Sequence, residues 1–157
     1  NFDVESVSGA VTTRFGNRGL GGGTWGNSDP EGLPFDVDDG ASAFIRMKNG
    51  AVIQVEITWA AHQLESDVYN LELFGSEAGA KVYPGEIYRH DSTLDAAVNI
   101  SGLGTPLRYP AADRFVNFVK AIRGEEPLCV THEQALAVQR VIDAVYESSA
   151  SRKEIRL

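Results

Sequence analysis

A chain of 157 residues with 43% apolar and 23% charged content reads as one soluble globular domain, with enough material for a real core. Its net charge of −8, without any cluster of Lys and Arg, excludes the electrostatic footprint of a nucleic-acid binder. No run approaches the ~18 apolar residues of a membrane span.

Residues 2–15, "FDVESVSGAVTTRF", are rich in Val and Thr and predict a strand, bulged at Gly9. A long irregular arm follows, from about Gly16 to Phe35. Within it Gly21-Gly22-Gly23-Thr24-Trp25-Gly26 satisfies G-x-G-x-x-G, the pattern that cradles a dinucleotide pyrophosphate. The context does not support that chemistry. A helix must start at the last glycine to offer its N–H groups to the phosphates. Here Pro30, Gly32 and Pro34 fall where the helix would run, and "RFGNRGL" stands where a buried strand should lead in. The arm therefore reads as a loop with no cofactor-binding role.

Period-two alternation is clearest next. Ala41, Ala43, Ile45 and Met47 share one face of the first run; Ala51, Ile53, Val55, Ile57 and Trp59 share one face of the second. Gln54, Glu56 and Thr58 lie on the other face, and Asn49-Gly50 predicts a two-residue hairpin turn in which both residues tolerate positive φ. "DVYNLELFG" continues the sheet, "AKVYPGEIYRH" reads as two strands around Pro84-Gly85, and "LDAAVNI" as a further strand.

Then the period changes. Pro110 opens a helical stripe of Phe115, Val116, Val119 and Ile122, stopped by Gly124. Thr131 and Gln134 form a capping-box pattern ahead of a second stripe, Ala135, Val138, Val141, Ile142, Val145 and Tyr146. "KEIRL" predicts a closing strand. Strands in hairpin succession followed by two helices imply an α+β fold, a mostly antiparallel open sheet with the two helices packed on one face. No parallel βαβ unit is visible to seat a dinucleotide.

No catalytic constellation emerges from residue types. His62, His90 and His132 show no metal-ligand spacing, so no metal site is expected. His90-Asp91-Ser92 has the residue types of a triad, but neighbours in sequence do not converge as one. Asp36, Asp38 and Asp39 read as a solvated turn rather than an acid/base pair. Cys129 is alone, which precludes an internal disulfide and, with no secretory leader in view, suits a reducing, cytoplasmic setting. On that reading the Asn99-Ile100-Ser101 sequon carries no weight. A start at Asn1 rather than Met leads us to expect a processed chain or a piece of a longer one.

Several segments taken together carry a resemblance. "PFDVDDGASAFIRMKNGAVIQVEITWA", "LELFGSEAGAKV" and "RFVNFVKAIRGEEPLCVTHEQALAVQRVIDAVYESSASRKEIRL" resemble the C-terminal domain of the Gfo/Idh/MocA oxidoreductases, over nearly the whole chain. The resemblance implies two-domain enzymes. In these, an N-terminal Rossmann domain carries the glycine fingerprint and a lysine in a Glu-Lys-Pro motif, and a following helix supplies an Asp and a His near the hydride. None of these matches a position here, so no catalytic and no cofactor-binding residue is carried over. NAD or NADP is expected in the parent alone.

By the same resemblance the domain walls a sugar-like or inositol-like substrate pocket, and its open sheet face joins subunits, most simply as a homodimer. The substrate-side candidates are Arg14, Asn17, Arg18, Trp25 and His62. Trp25 would stack on a sugar ring and the arginines would bind hydroxyls or carboxylates; alternatively the arm contacts a subunit, or Trp25 is tucked into the core. The interface candidates are Arg46, Val52, Gln54, Glu56 and Thr58, the alternative being an ordinary solvated face. A stand-alone ligand-binding or assembly module is the competing function, which the DNA upstream of Asn1 would distinguish.

Overall fold

The computed structural model describes residues 2–18, 37–65, 68–102 and 113–157. In chain order the elements are β1 (Val4–Thr12), a 3-10 turn (Gly16–Arg18), β2 (Gly40–Met47), β3 (Val52–Thr58), β4 (Glu72–Phe74), β5 (Gly79–Lys81), β6 (Glu86–Asp91), β7 (Ala96–Ile100), α1 (Arg114–Ile122), α2 (His132–Ser151) and β8 (Ile155–Arg156). The α+β reading holds: antiparallel strands come first and the two helices follow. The strands nevertheless divide between two four-stranded sheets where the sequence suggests one. "DVYNLELFG" does not extend the first sheet. Of its described residues only Glu72–Phe74 form a strand, which opens the second.

One compact unit comprises Asn1–His62 and Val130–Leu157. Its sheet has the order β3-β2-β1-β8, antiparallel throughout. Register puts Val7 beside Ile45, Ile45 beside Ile53, and Gly9 beside Ala43 and then Val55, so the apolar alternation shares one face. Val7, Ile45, Met47 and Ala144 form the core, with Val141 and Val145 of α2 packed on it.

α2 lies over β1. A Cβ on Gly9 would stand 2.9 Å from Val145 Cγ1, so glycine is there for close approach. The irregularity in β1 falls between Val4 and Ser6, not at Gly9. β8 pairs β1 only at Ser6 and Val7. Farther along, α2 takes over as partner: the N–H of Gly9 donates to Ser148 Oγ (2.9 Å) and that of Val11 to Ser149 Oγ (3.0 Å).

The β2–β3 hairpin forms where expected, with a different turn. Met47 N–H donates to Ala51 O and Gly50 N–H to Met47 O, each at 2.9 Å, so Lys48, Asn49 and Gly50 make a three-residue loop. Only Gly50 takes positive φ (+87°), while Asn49 receives the Ala51 N–H on its side chain at 3.1 Å. A type I turn closed by a left-handed glycine matches strand twist as well as the two-residue alternative.

The second unit, Gln63–Cys129, holds the sheet β4-β5-β6-β7 and α1. Asp113 caps α1, accepting from the N–H of Phe115 (2.7 Å) and Val116 (3.2 Å), so the helix starts later than Pro110 suggests. Gly124, at φ +72°, ends it as expected. Buried Asn117 organises the turn that follows: its amide donates to Glu126 Oε1 and Pro127 O, both at 3.0 Å, and its carbonyl accepts from Cys129 N–H at 2.9 Å.

Candidate functional site

The root of the arm is built around Asp39. Its carboxylate Oδ2 accepts three consecutive backbone N–H groups, from Arg14 (2.6 Å), Phe15 (2.5 Å) and Gly16 (3.1 Å). Its own N–H donates to Thr12 O at 2.9 Å, and its carbonyl accepts the Thr58 hydroxyl at 2.8 Å. Asp39 is 2% exposed, so the expectation of a solvated turn is corrected. Burial opposes its charge, but the N–H groups of Phe15, Gly16 and Arg14 outweigh that penalty and hold the carboxyl below its usual range. The physical reason is a nest: successive N–H groups turned inward need an anion, and Asp39 supplies it from the other end of the arm.

Beside this clamp the rings of Phe15 and His62 meet edge to face, centroids 5.3 Å apart. Asp38 is held twice, by Tyr146, whose hydroxyl donates to Oδ1, and by Trp59, whose indole N–H donates to the Asp38 carbonyl at 2.9 Å. The Asp38 carboxylate raises the pKa of Tyr146, since accepting that hydroxyl proton favours the neutral phenol.

Among the substrate-side candidates, Arg14 and His62 are both exposed, His62 meeting the ring of Phe15 and Arg14 held by its backbone N–H on Asp39, and Arg18 closes the 3-10 turn that follows with its N–H on Phe15 O at 3.0 Å. Asn17 lies in that turn. Trp25 and the glycine run Gly21–Gly26 lie outside the described residues.

The interface candidates share the face of the first sheet opposite α2. Arg46 pairs in register with Val52, and Gln54 with Phe44. The Arg46 guanidinium lies 4.9 Å from the Phe44 ring centroid and 3.5 Å from Glu154, which also accepts the Ser6 hydroxyl. Val52, Gln54 and Glu56 are exposed. The Thr58 hydroxyl is engaged with Asp39 O, so Thr58 helps fix the arm root as well as bordering that face.

His90 pairs with Asp95 at 3.4 Å rather than with Ser92, and His132 is exposed beside Glu133. Among the described residues no group of His, Cys, Asp and Glu is arranged to hold a metal, and no helix is long and apolar enough to cross a membrane. Every pairing between the described strands of both sheets is antiparallel.

Residues 5–157 match the family described as "Oxidoreductase family, C-terminal alpha/beta domain". The chain is similar to the D-glucoside 3-dehydrogenase of Escherichia coli (strain K12), 24% identical over 141 residues, which are 86% of this chain and 37% of that protein. Its fold is similar to that of levoglucosan dehydrogenase in complex with NADH (TM-score 0.71, 21% identity, 98% of this chain and 45% of that one). It is also similar to an NAD-binding protein from Listeria innocua (TM-score 0.66, 19% identity, 99% and 46%). The chain spans less than half the length of each of these relatives.

Proposed function

Because the chain belongs to the oxidoreductase family, as its C-terminal alpha/beta domain, we propose that it is the substrate-side and association domain of an NAD(P)-dependent dehydrogenase acting on a sugar or similar polyol. On this reading, nicotinamide binding and hydride transfer belong to polypeptide outside residues 1–157. Two similar proteins are named for sugar oxidation, which supports the substrate class. The free Cys129 suits a reducing, cytoplasmic setting.

The observation that carries the substrate side is the Asp39 clamp. It fixes the backbone of Arg14, Phe15 and Gly16, and on this reading the exposed Arg14 and His62 are donors for hydroxyl groups. The uncovered mixed face of β1–β3 carries the association, most simply as a two-fold dimer in which Arg46, Val52, Gln54 and Glu56 meet their own copies.

Two measurements test this. Calorimetric titration of the chain with NADH gives no saturable heat, whereas a site tighter than about 100 μM, worth roughly 5.5 kcal/mol, overturns the division of labour. Light scattering gives a dimer that Glu56→Arg weakens; a monomer at high concentration, or a dimer indifferent to that change, overturns the association or its placement.

A further inference from the structure

The tip of the β2–β3 hairpin holds two groups able to react with each other. Of the asparagines in the sequence, Asn49 alone precedes a glycine. The backbone nitrogen that follows an asparagine closes a five-membered ring when it bonds to the side-chain carbonyl carbon, and glycine has no side chain to hinder that approach. Lys48, Asn49, Gly50 and Ala51 are all exposed, and a Cβ built on Gly50 meets nothing within 4 Å, so water reaches both groups. The closed loop nevertheless opposes the reaction. Gly50 N–H, whose proton must leave before the nitrogen attacks, donates to Met47 O at 2.9 Å. The Asn49 side-chain carbonyl accepts Ala51 N–H at 3.1 Å. Met47 N–H donates to Ala51 O and Lys48 N–H to Asp3 O, each at 2.9 Å, so the loop is tied across itself and to the chain ahead of β1. One of these bonds acts the other way, since Ala51 N–H draws electrons from the Asn49 carbonyl and eases attack on its carbon. That aid is secondary. An amide nitrogen that keeps its proton is no nucleophile, and Met47 O holds that proton while the turn is closed.

We propose that Asn49 is a self-modification site gated by the hairpin: when the loop opens, the Gly50 nitrogen displaces the side-chain amide and the residue becomes aspartate or isoaspartate. The deprotonated Gly50 nitrogen bonds to Asn49 Cγ, the Cγ–Nδ2 bond breaks, and the side-chain nitrogen leaves with a solvent proton as ammonia. Water then opens the ring. Attack at Cγ breaks its bond to the Gly50 nitrogen and gives aspartate. Attack at the Asn49 backbone carbonyl breaks the original peptide bond and gives isoaspartate, with the chain running on through Cβ and Cγ. One water is consumed and one ammonia released, with no change of oxidation state. The two products act differently on the fold. Aspartate keeps the backbone and an acceptor for Ala51 N–H, and Asp-Gly suits a turn as Asn-Gly does. Isoaspartate adds a carbon to the main chain between Met47 and Gly50, where a β-turn has fixed spacing. That loop does not close again, and β3, at the end of its sheet, loses its tie to β2 there. Opening an exposed hairpin tip needs no global unfolding, so the site records local openings of β2 from β3. The inference rests on neither the substrate nor the association reading.

The test compares the folded chain with the same chain in guanidinium chloride, both in mildly alkaline buffer and sampled over time by peptide mapping. A mass gain of about 1 Da at Asn49 is expected, ahead of any at Asn70 or Asn99, with isoaspartate identified by electron-transfer fragmentation. The folded chain converts about tenfold or more slowly than the denatured one, and its rate follows the hydrogen exchange of Gly50 N–H. Ile53→Gly weakens β3 at a position 44% exposed. It raises the folded rate several-fold and leaves the denatured rate unchanged, with melting by circular dichroism as the check that the variant folds. Gly50→Ala is measured in denaturant, where the left-handed φ of +87° imposes no strain, and it slows conversion many-fold. Conversion at Asn70 or Asn99 before Asn49 in denaturant, or a rate indifferent to Gly50→Ala there, overturns the site. A folded rate equal to or above the denatured rate, or one indifferent to Ile53→Gly, overturns the gating by the hairpin.

Discussion

Gly9 and Val145 are in contact at a distance that leaves no room for a β-carbon: Val145 Cγ1 would lie 2.9 Å, and its Cα 3.3 Å, from a Cβ built on Gly9. The obstacle includes helix backbone, so a side-chain rotation alone does not relieve it. Gly9→Ala is expected to cost about 1–3 kcal/mol through overpacking, read as a lower denaturant midpoint. Val145→Ala in the same chain should recover part of that loss, because the two positions share one contact and their effects do not add.

Asp39 gives a pH prediction with a definite sign. Its folded pKa lies below the unfolded value near 3.8, so its contribution to stability is complete above that value and is lost as pH falls through the folded one. Asp39→Asn should lower the melting temperature at neutral pH and flatten the fall in stability below about pH 4. Equal acid sensitivity in both proteins would show that the three N–H groups find another acceptor.

The clamp also explains what the sequence conceals. Asp38 and Asp39 look alike in "DVDDG". Their roles differ because one meets Tyr146 and the other meets N–H groups 23 to 25 residues earlier, and no local period encodes such a meeting. The hairpin at Asn49-Gly50 and the capping box at Thr131 and Gln134 are legible because their causes sit within a few residues. The division into two sheets is not, since alternation at Leu71 and Leu73 is the same whichever sheet receives them. His62 is legible as a chemical type, and its contact with Phe15 follows only from the fold.

Asn117 should prove the most sensitive polar residue of the second unit. It is 1% exposed and satisfies three partners in the turn after α1. Asn117→Ala removes the partner of the half-buried Cys129 N–H, at up to about 1–3 kcal/mol, whereas the carbonyl of exposed Pro127 can turn to water. Faster amide exchange across Glu126–Cys129, with β1 unaffected, is the expected pattern.

The start of α2 should respond more mildly. Thr131 Oγ1 accepts Gln134 N–H at 3.3 Å, and Gln134 Oε1 accepts Thr131 N–H at 2.9 Å. Thr131→Ala is expected to cost about 1 kcal/mol, and Thr131→Ser or Thr131→Asp very little. A thermal melt of the three variants checks that ranking.

The first unit is discontinuous in sequence, Asn1–His62 closed by Val130–Leu157 around the intervening residues. During synthesis β1, β2 and β3 emerge early, but the helix that covers β1 and the strand that borders it are made last. Until then the nascent chain carries a three-stranded sheet with a bare apolar face. Residues 63–129, made in between, have their local partners already available and can fold on the ribosome first. Completion of the first unit then waits on contacts spanning more than a hundred residues, such as Gly9 with Ser148, and such long closures slow the final step. A stall or truncation before Val130 would therefore release a chain whose middle is folded and whose beginning is an adhesive sheet, the kind of intermediate that chaperones are built to hold.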